Sequence, residues 1–372
     1  MNNAKWIYTR NPESFESGTA ENVNPWESRI TVEMQKSPLE PESGLSIFRK
    51  KFTVTNDITD CEITATSLGN FDLYCNGKRV GSTENGKTVY DEMKPGWSDF
   101  DKRALSYTYS LKDYLVKGEN SILAVVSNGW WAGRIAVWTY KATDTAFIAK
   151  LTFDNGTTIE TDESWESYFG GRIRYADIWD GEYYDSTYES FEKMSISDTV
   201  IENPSKTLIF TSFQGVITPH FGPTIRVREH LSRVPETVTL YEGSIENDSD
   251  FGKINIIPTS YKFKEKQTIL FDYGQNMVGI PYIKIRGKKG TRVDIIFGEM
   301  LNDSGKKSRG NDGPEGSIYS ANYRSAKAKC TYIMNGDEDF EEFRPLLTFY
   351  GFRYMEISII TIVSALVLVK KH

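Results

Sequence analysis

The chain has 372 residues, and Lys+Arg 44 against Asp+Glu 51 leaves a formal net charge of −7 at pH 7. A mildly acidic balance spread along the whole chain excludes the basic footprint of a nucleic-acid-binding protein. With 39% hydrophobic and 26% charged residues, packed cores are expected, and the length predicts two β-rich domains or three smaller ones.

The segment Met1-Asn2-Asn3-Ala4-Lys5-Trp6 lacks the apolar stretch of a signal peptide, so a cytoplasmic location is expected. The three cysteines, Cys61, Cys75 and Cys330, form no CxxC pair and are too scattered for a disulfide framework or a zinc ribbon. His220, His230 and His372 are the only histidines, so acid–base chemistry would rest on carboxylates.

Helical periodicity is almost absent, and alternating segments punctuated by turn residues recur instead. Phe71 to Cys75 turns at Asn76-Gly77, and Ser121 to Val126 follows Gly118-Glu119-Asn120. Phe147, Ala149, Leu151 and Phe153 alternate along one strand, Asp154-Asn155-Gly156 closes a hairpin, and Thr157 to Thr161 returns antiparallel. Thr291 to Phe297 repeats the pattern after Gly287-Lys288-Lys289-Gly290. Strands at this spacing predict an all-β protein of two antiparallel β-sandwiches of jelly-roll type.

Pro204, Pro219, Pro223 and Pro235 break the strand pattern, which places a first sandwich over residues 1–195, a linker over 196–234 and a second sandwich over 235–356. Asn302 to Gly316 is polar and Gly-rich and is expected to be a solvated loop, without the register of an EF-hand from either Asp303 or Asp312. The apolar run Ile357 to Val369 is too short to span a bilayer and is read as buried strand or as part of an atypical tail over 357–372, with no membrane partner.

Two clusters combine aromatics, polar groups and glycines. The first joins Lys94-Pro95-Gly96-Trp97-Ser98-Asp99-Phe100 to Asn128-Gly129-Trp130-Trp131-Ala132-Gly133-Arg134. Indole faces stack on the apolar C–H face of a pyranose, glycines permit close backbone approach, and Asn128 and Arg134 would supply directional hydrogen bonds. The same tryptophans could equally plug the sandwich ends. The second cluster is Asp177-Ile178-Trp179-Asp180-Gly181-Glu182-Tyr183-Tyr184-Asp185, whose carboxylates suit a hard cation or sugar hydroxyls, or else cap turns and pair with Arg134, Arg172 or Arg174. No catalytic residue can be singled out: no carboxylate pair stands apart, there is no nucleophile elbow, and no phosphate-binding loop is present.

In order along the chain, Phe48 to Val54, Leu68 to Val80, the PGWSDF and GWWAGR segments and DGEYYD resemble the N-terminal region of bacterial α-L-rhamnosidases, glycoside hydrolase family 78. Gly222 to Val227, Phe271 to Gly279, Gly298 to Leu301 and Phe343 to Tyr354 resemble that family's concanavalin-like sandwich. The resemblance implies a galactose-binding-like sandwich followed by a concanavalin-like one. It also implies that catalysis belongs to an (α/α)6 barrel carrying an acidic motif of the type DCPQRDER, which this sequence does not contain. The expectation is therefore a non-catalytic carbohydrate-recognition or scaffold portion, truncated or frame-shifted before the barrel, inactive alone, whose partners are an L-rhamnose-containing glycan and a separate or downstream catalytic barrel.

The candidate sugar contacts, from the clusters and the resemblance together, are Asn76, Trp97, Asn128, Trp130, Arg134, Glu182, Tyr184 and Asp185. Some members bridge rhamnose through Ca²⁺ with an Asp immediately before the residue matching Asn76. Here that position is Cys75, a poor ligand for a hard cation, so no cofactor is required and Ca²⁺ is the one candidate. Two alternatives stand beside this expectation. One is that the chain is part of an active inverting α-L-rhamnosidase, and the other is that it is a structural or interaction protein without sugar binding.

Overall fold

The structure is a computed structural model, and it describes residues 3–10, 38–55, 59–135, 138–139, 144–243, 251–258, 262–263, 267–304, 311–324, 326–337, 339–359 and 365–368. Strands dominate these residues; the α-helices among them, Gly129–Ala132 and Phe191–Met194, have four residues each. None is long and apolar enough to cross a membrane. The chain divides into two compact units, each with its own core.

The first unit comprises Pro41–Ile178 and Tyr188–Val227 together with the strand Ile7–Tyr8. One seven-stranded sheet runs in the order Leu208–Ile209, Ile7–Tyr8, Ala146–Phe153, Cys61–Leu68, Arg103–Ser110, Val216–Pro219, with Thr158–Glu160 hairpinned onto Ala146–Phe153. The facing six-stranded sheet runs Pro204–Ser205, Glu166–Gly170, Leu45–Val54, Gly118–Ser127, Asn70–Cys75, Lys78–Arg79. The predicted alternation is the cause of the packing: Phe147, Ala149, Leu151 and Phe153 all enter one core with Phe48, Phe71, Leu73, Ala124 and Trp165. Phe48 stacks on Phe147 with ring centroids 5.9 Å apart, joining the two sheets. Asn76 (φ 48°) and Gly77 (φ 84°) occupy the left-handed conformation that a two-residue hairpin requires, and Cys75 pairs with Lys78 across it.

The second unit comprises residues 38–40, Trp179–Thr187 and, from Arg228 onward, the rest of the described chain. Its larger sheet runs Gly181–Asp185, Lys329–Ile333, Arg292–Gly298, Tyr350–Ile359, Gln267–Gly279, Thr237–Gly243, Ile254–Ile257. A four-stranded sheet runs Lys262–Phe263, Ala365–Leu368, Ile283–Arg286, Glu341–Phe343. Ile269, Phe271, Ile285, Ile295, Phe297, Tyr332, Phe343 and Ile357 build the core. Opposite Tyr350–Ile359, the register of Gln267–Gly279 shifts between Asp272 and Met277. Gly274 sits in this bulge at φ 70°, where a Cβ would come within 2.2 Å of the Glu236 carboxyl carbon.

The division differs from the one expected from composition. Pro204–Ser205, Leu208–Ile209 and Val216–Pro219 lie at the ends of the first unit's strand orders. Proline is tolerated on edge strands, where its missing N–H breaks no ladder. The stretch 196–234 is therefore largely part of the first sandwich. Trp179–Thr187 leaves that sandwich for the second unit, where Gly181–Asp185 runs parallel to Lys329–Ile333. The apolar run from Ile357 contributes Ile357 and Ile359 to the core, and Ala365–Leu368 forms a strand between Lys262–Phe263 and Ile283–Arg286. Residues 360–364 and 369–372 lie outside the described residues.

The loop from Asn302 to Gly316 is not simply solvated. Asn302 (3% exposed), Asn311 and Asp312 are buried, and Asn302 Nδ2 donates to Asp312 Oδ1 at 3.0 Å. Asp312 Oδ2 accepts from the Ser320 and Ala321 backbone N–H groups, both at 3.0 Å. A loop of this length needs internal partners for its polar groups, and this carboxylate supplies them. Residues 305–310 lie outside the described residues.

Candidate functional site

At one end of the first sandwich the structure brings Trp97 and Trp130 together. Their rings stack with centroids 5.8 Å apart and 23° between planes, and Trp97 is 65% exposed. Trp130 lies on the short helix Gly129–Ala132, which leaves the strand Gly118–Ser127 by a tight turn. The GWWAGR glycines are needed there. Gly129 has φ 51°, and a Cβ on it would lie 2.4 Å from Asn70 N; a Cβ on Gly133 would lie 2.3 Å from Gly129 O and 2.8 Å from Asp177 Oδ2.

The neighbouring indole has another role. Trp131 donates its Nε1–H to Asp144 O at 2.9 Å and packs edge-on against Phe100, so it anchors the helix that presents Trp130. Asn128 is the N-cap residue of this helix but makes no capping hydrogen bond with its side chain. Arg134 donates its backbone N–H to the buried Asp177 carboxylate at 2.7 Å.

The Trp97 loop rises from a buried ionic network that sequence reasoning did not single out. Lys94 and Asp72 are each 1% exposed, and Lys94 Nζ lies 2.8 Å from Asp72 Oδ1 and 2.8 Å from Asp91 O. Arg79 pairs with the other Asp72 oxygen and with Glu92 Oε2 at 2.6 Å. Asp91 accepts from Tyr109 OH and from Arg226 Nε, both at 2.8 Å. Burial pushes the Asp72 carboxyl upward, but Arg79 and Lys94 outweigh it and hold it below the usual carboxylate range. One signal was available in the sequence: Asp72 sits mid-strand in NFDLYC, a segment in which every residue is buried, and an interior carboxylate demands a cation.

The other expected contacts have partners of their own. The Asn76 amide is engaged by the protein: Nδ2 donates to Tyr114 O (2.9 Å) and Asn120 Oδ1 (2.6 Å), and Oδ1 accepts from Ser121 N (2.9 Å). The adjacent Cys75 is wholly buried, which pushes its thiol up to about 12. With the thiol in the core and the amide oxygen bonded to backbone, these residues do not fit a Ca²⁺ ion. Among the described residues no three His, Cys, Asp or Glu side chains gather in a way that could hold a metal.

Glu182, Tyr184 and Asp185 belong to the second unit. Glu182 is 0% exposed and accepts from Leu346 N and Leu347 N at 3.0 and 2.9 Å. Burial raises its carboxyl to about 7 against the pull of those two N–H groups. Tyr184 stacks on Tyr332 with centroids 5.7 Å apart, and Asp185 Oδ1 caps its own turn through Thr187 N and Oγ1 at 3.0 and 2.6 Å. All three thus have partners within that unit.

Two family models match the chain: the alpha-L-rhamnosidase N-terminal domain over residues 56–229 and the bacterial alpha-L-rhamnosidase concanavalin-like domain over residues 262–368. The chain belongs to the bacterial α-L-rhamnosidase family. This rhamnosidase-family chain is 32% identical over 363 residues to an α-L-rhamnosidase of Alteromonas sp. (strain LOR), covering 92% of its own length and 34% of that protein's. A relative from Formosa agariphila is 29% identical over 319 residues, covering 83% and 29%. The chain thus spans about a third of the length of these curated relatives.

Among solved structures, the α-L-rhamnosidase of Streptomyces avermitilis complexed with L-rhamnose superposes with a TM-score of 0.67 at 26% identity, over 88% of this chain and 29% of that one. The Aspergillus terreus enzyme shares the fold, with a TM-score of 0.68 at 22% identity, over 99% and 36%. Trp97 and Trp130 both fall within the N-terminal rhamnosidase domain.

Proposed function

We propose that the first sandwich of this rhamnosidase-family chain is a carbohydrate-recognition module, with Trp97 as its platform, and that the chain is the non-catalytic, sugar-recognising portion of an α-L-rhamnosidase-like glycoside hydrolase. The observation that carries the reading is the 65% exposed Trp97 indole backed by Trp130. A large aromatic left in water at a sandwich end forgoes the burial that normally fixes such residues, and a flat indole face matches the apolar face of a pyranose. Trp130 covers one side of Trp97, which leaves a platform for a single sugar ring with Asn128 beside it on the helix turn. L-Rhamnose in a glycan or glycoside is the favoured ligand, supported by the relatives' designation as α-L-rhamnosidases.

Hydrolysis is assigned to residues outside the two sandwiches. An inverting glycosidase needs an acid and a base facing each other across about 6.5–9.5 Å of open cleft. The acids of the second cluster do not meet that need: Asp177, Asp180 and Glu182 are buried against backbone N–H groups and Asp185 caps a turn. Pull-down of the chain on a rhamnose-containing polysaccharide tests recognition: retention that Trp97→Ala abolishes supports it, and equal behaviour of the two proteins overturns it. Turnover of an aryl α-L-rhamnoside that disappears on mutating an acid of this chain would overturn the non-catalytic assignment.

A further inference from the structure

We propose that Lys94 is the positioning residue of the Trp97 platform: its buried ammonium, held between Asp72 Oδ1 and Asp91 O, fixes the loop that stands Trp97 against Trp130. The consequence for ligand binding rests on the carbohydrate reading above, while the positioning role stands on geometry alone.

Trp97 cannot hold itself in place. It is mostly exposed, and its ring contact is to Trp130. The loop closes one turn of its own, Gly96 N donating to Met93 O at 2.8 Å, but that turn carries a conformational cost. Met93 sits at φ 56°, in the left-handed region that a residue with a side chain avoids, and a Cβ on Gly96 (φ 82°) would meet nothing within 4 Å. Contacts from outside the loop therefore have to support this turn, and Lys94, three residues before Trp97, is where they meet.

Its carbonyl accepts from Phe71 N at 2.7 Å, which stitches the loop to the strand Asn70–Cys75. Its ammonium reaches back to Asp72 on the same strand and to Asp91 O at the start of the loop, 2.8 Å each. The rings of Phe71 and Tyr109 flank the ammonium at 5.7 and 5.6 Å. On the far side of Trp97, Ser98 Oγ donates to Arg103 O at 2.7 Å and Phe100 packs on Trp131. The platform is thus pinned at both ends, and Lys94 is the charged pin. A long, flexible lysine stem is otherwise poorly suited to a fully buried position, and the ion pair with Asp72 explains why one is retained there.

Two readouts on the whole chain test the assignment. The first is the near-UV circular dichroism of the coupled indoles, assigned by the signal that Trp97→Phe and Trp130→Phe each remove. Lys94→Met is expected to lose that signal while keeping far-UV ellipticity and a cooperative unfolding transition, and adding Trp97→Phe to it should change nothing further. If Lys94→Met does not fold, the paired replacement Asp72→Leu with Lys94→Met removes the pin without leaving an unpaired charge. Retention of the wild-type indole signal in a folded variant lacking Lys94 overturns the proposal.

The second readout is L-rhamnose affinity, expected to fall about tenfold when the platform is no longer preorganised. Absence of rhamnose binding by the wild type defeats the carbohydrate reading alone, because the indole signal still decides the role of Lys94.

Discussion

The Glu182 carboxylate, wholly buried, accepts hydrogen bonds from Leu347 N at 2.9 Å and from Leu346 N at 3.0 Å, so the strand Gly181–Asp185 holds a turn that lies more than 160 residues further along the chain. Desolvation raises this carboxyl from its ordinary 4.5 to about 7. A carboxyl with a raised folded-state value binds its proton more tightly folded than unfolded. Its stabilising contribution is therefore full below about pH 4.5 and is lost as pH rises to about 7. At roughly 1.4 kcal/mol per pH unit the loss amounts to about 3 kcal/mol. Urea unfolding of the second unit at pH 5 and pH 8 is expected to show this difference reduced in Glu182→Gln relative to wild type. An identical pH dependence in the two proteins would remove Glu182 as its source.

Asp72 is expected to be the most sensitive polar position in the first unit. Asp72→Asn leaves both Lys94 and Arg79 buried beside a neutral amide and should cost about 3–5 kcal/mol. Lys94→Met leaves Asp72 with Arg79 and keeps an apolar stem against Phe71 and Tyr109, so a smaller loss of about 2 kcal/mol is expected. Because Asp72's folded-state value is depressed, its contribution is present at neutral pH and is lost as pH falls through the acid range. Equal destabilisation by the two substitutions would contradict the pairing scheme. Denaturant unfolding at neutral pH measures both.

Much of the fold was legible because it is local. The alternation of Phe147, Ala149, Leu151 and Phe153 and the turns at Asn76-Gly77 and Asp154-Asn155-Gly156 specify strands and hairpins within a few residues of themselves. The exposed Trp97–Trp130 pair was legible as a cluster of indoles beside glycines, yet the division of labour between Trp130 and Trp131 was not. That division depends on Asp144 and Phe100, which the fold brings to Trp131. DGEYYD read as a ligand cluster because its carboxylates are dense in sequence, whereas their partners, Leu346 and Leu347 for Glu182, are remote and supply backbone N–H groups that composition does not report. The Asp72–Lys94 pair spans 22 residues between a strand and a loop, and no short motif marks it.

Gly129 and Gly156 separate two reasons for glycine. At Gly156 (φ 85°) a Cβ meets nothing within 4 Å, so Gly156→Ala should cost about 1 kcal/mol for the left-handed conformation alone. At Gly129 (φ 51°) the same atom would strike the Asn70 backbone at 2.4 Å, and Gly129→Ala should cost about 3 kcal/mol and displace Trp130. Thermal unfolding compares the two, and a near-equal loss would mean that the turn into the Trp130 helix relaxes freely.

Calorimetric titration of L-rhamnose into the wild-type chain and into Trp97→Ala tests the central claim most directly. The account predicts saturable heat at millimolar sugar for the wild type, and a loss of affinity of about tenfold or more in Trp97→Ala, with far-UV ellipticity unchanged. No saturable heat from the wild type, or the same isotherm from both proteins, would contradict it.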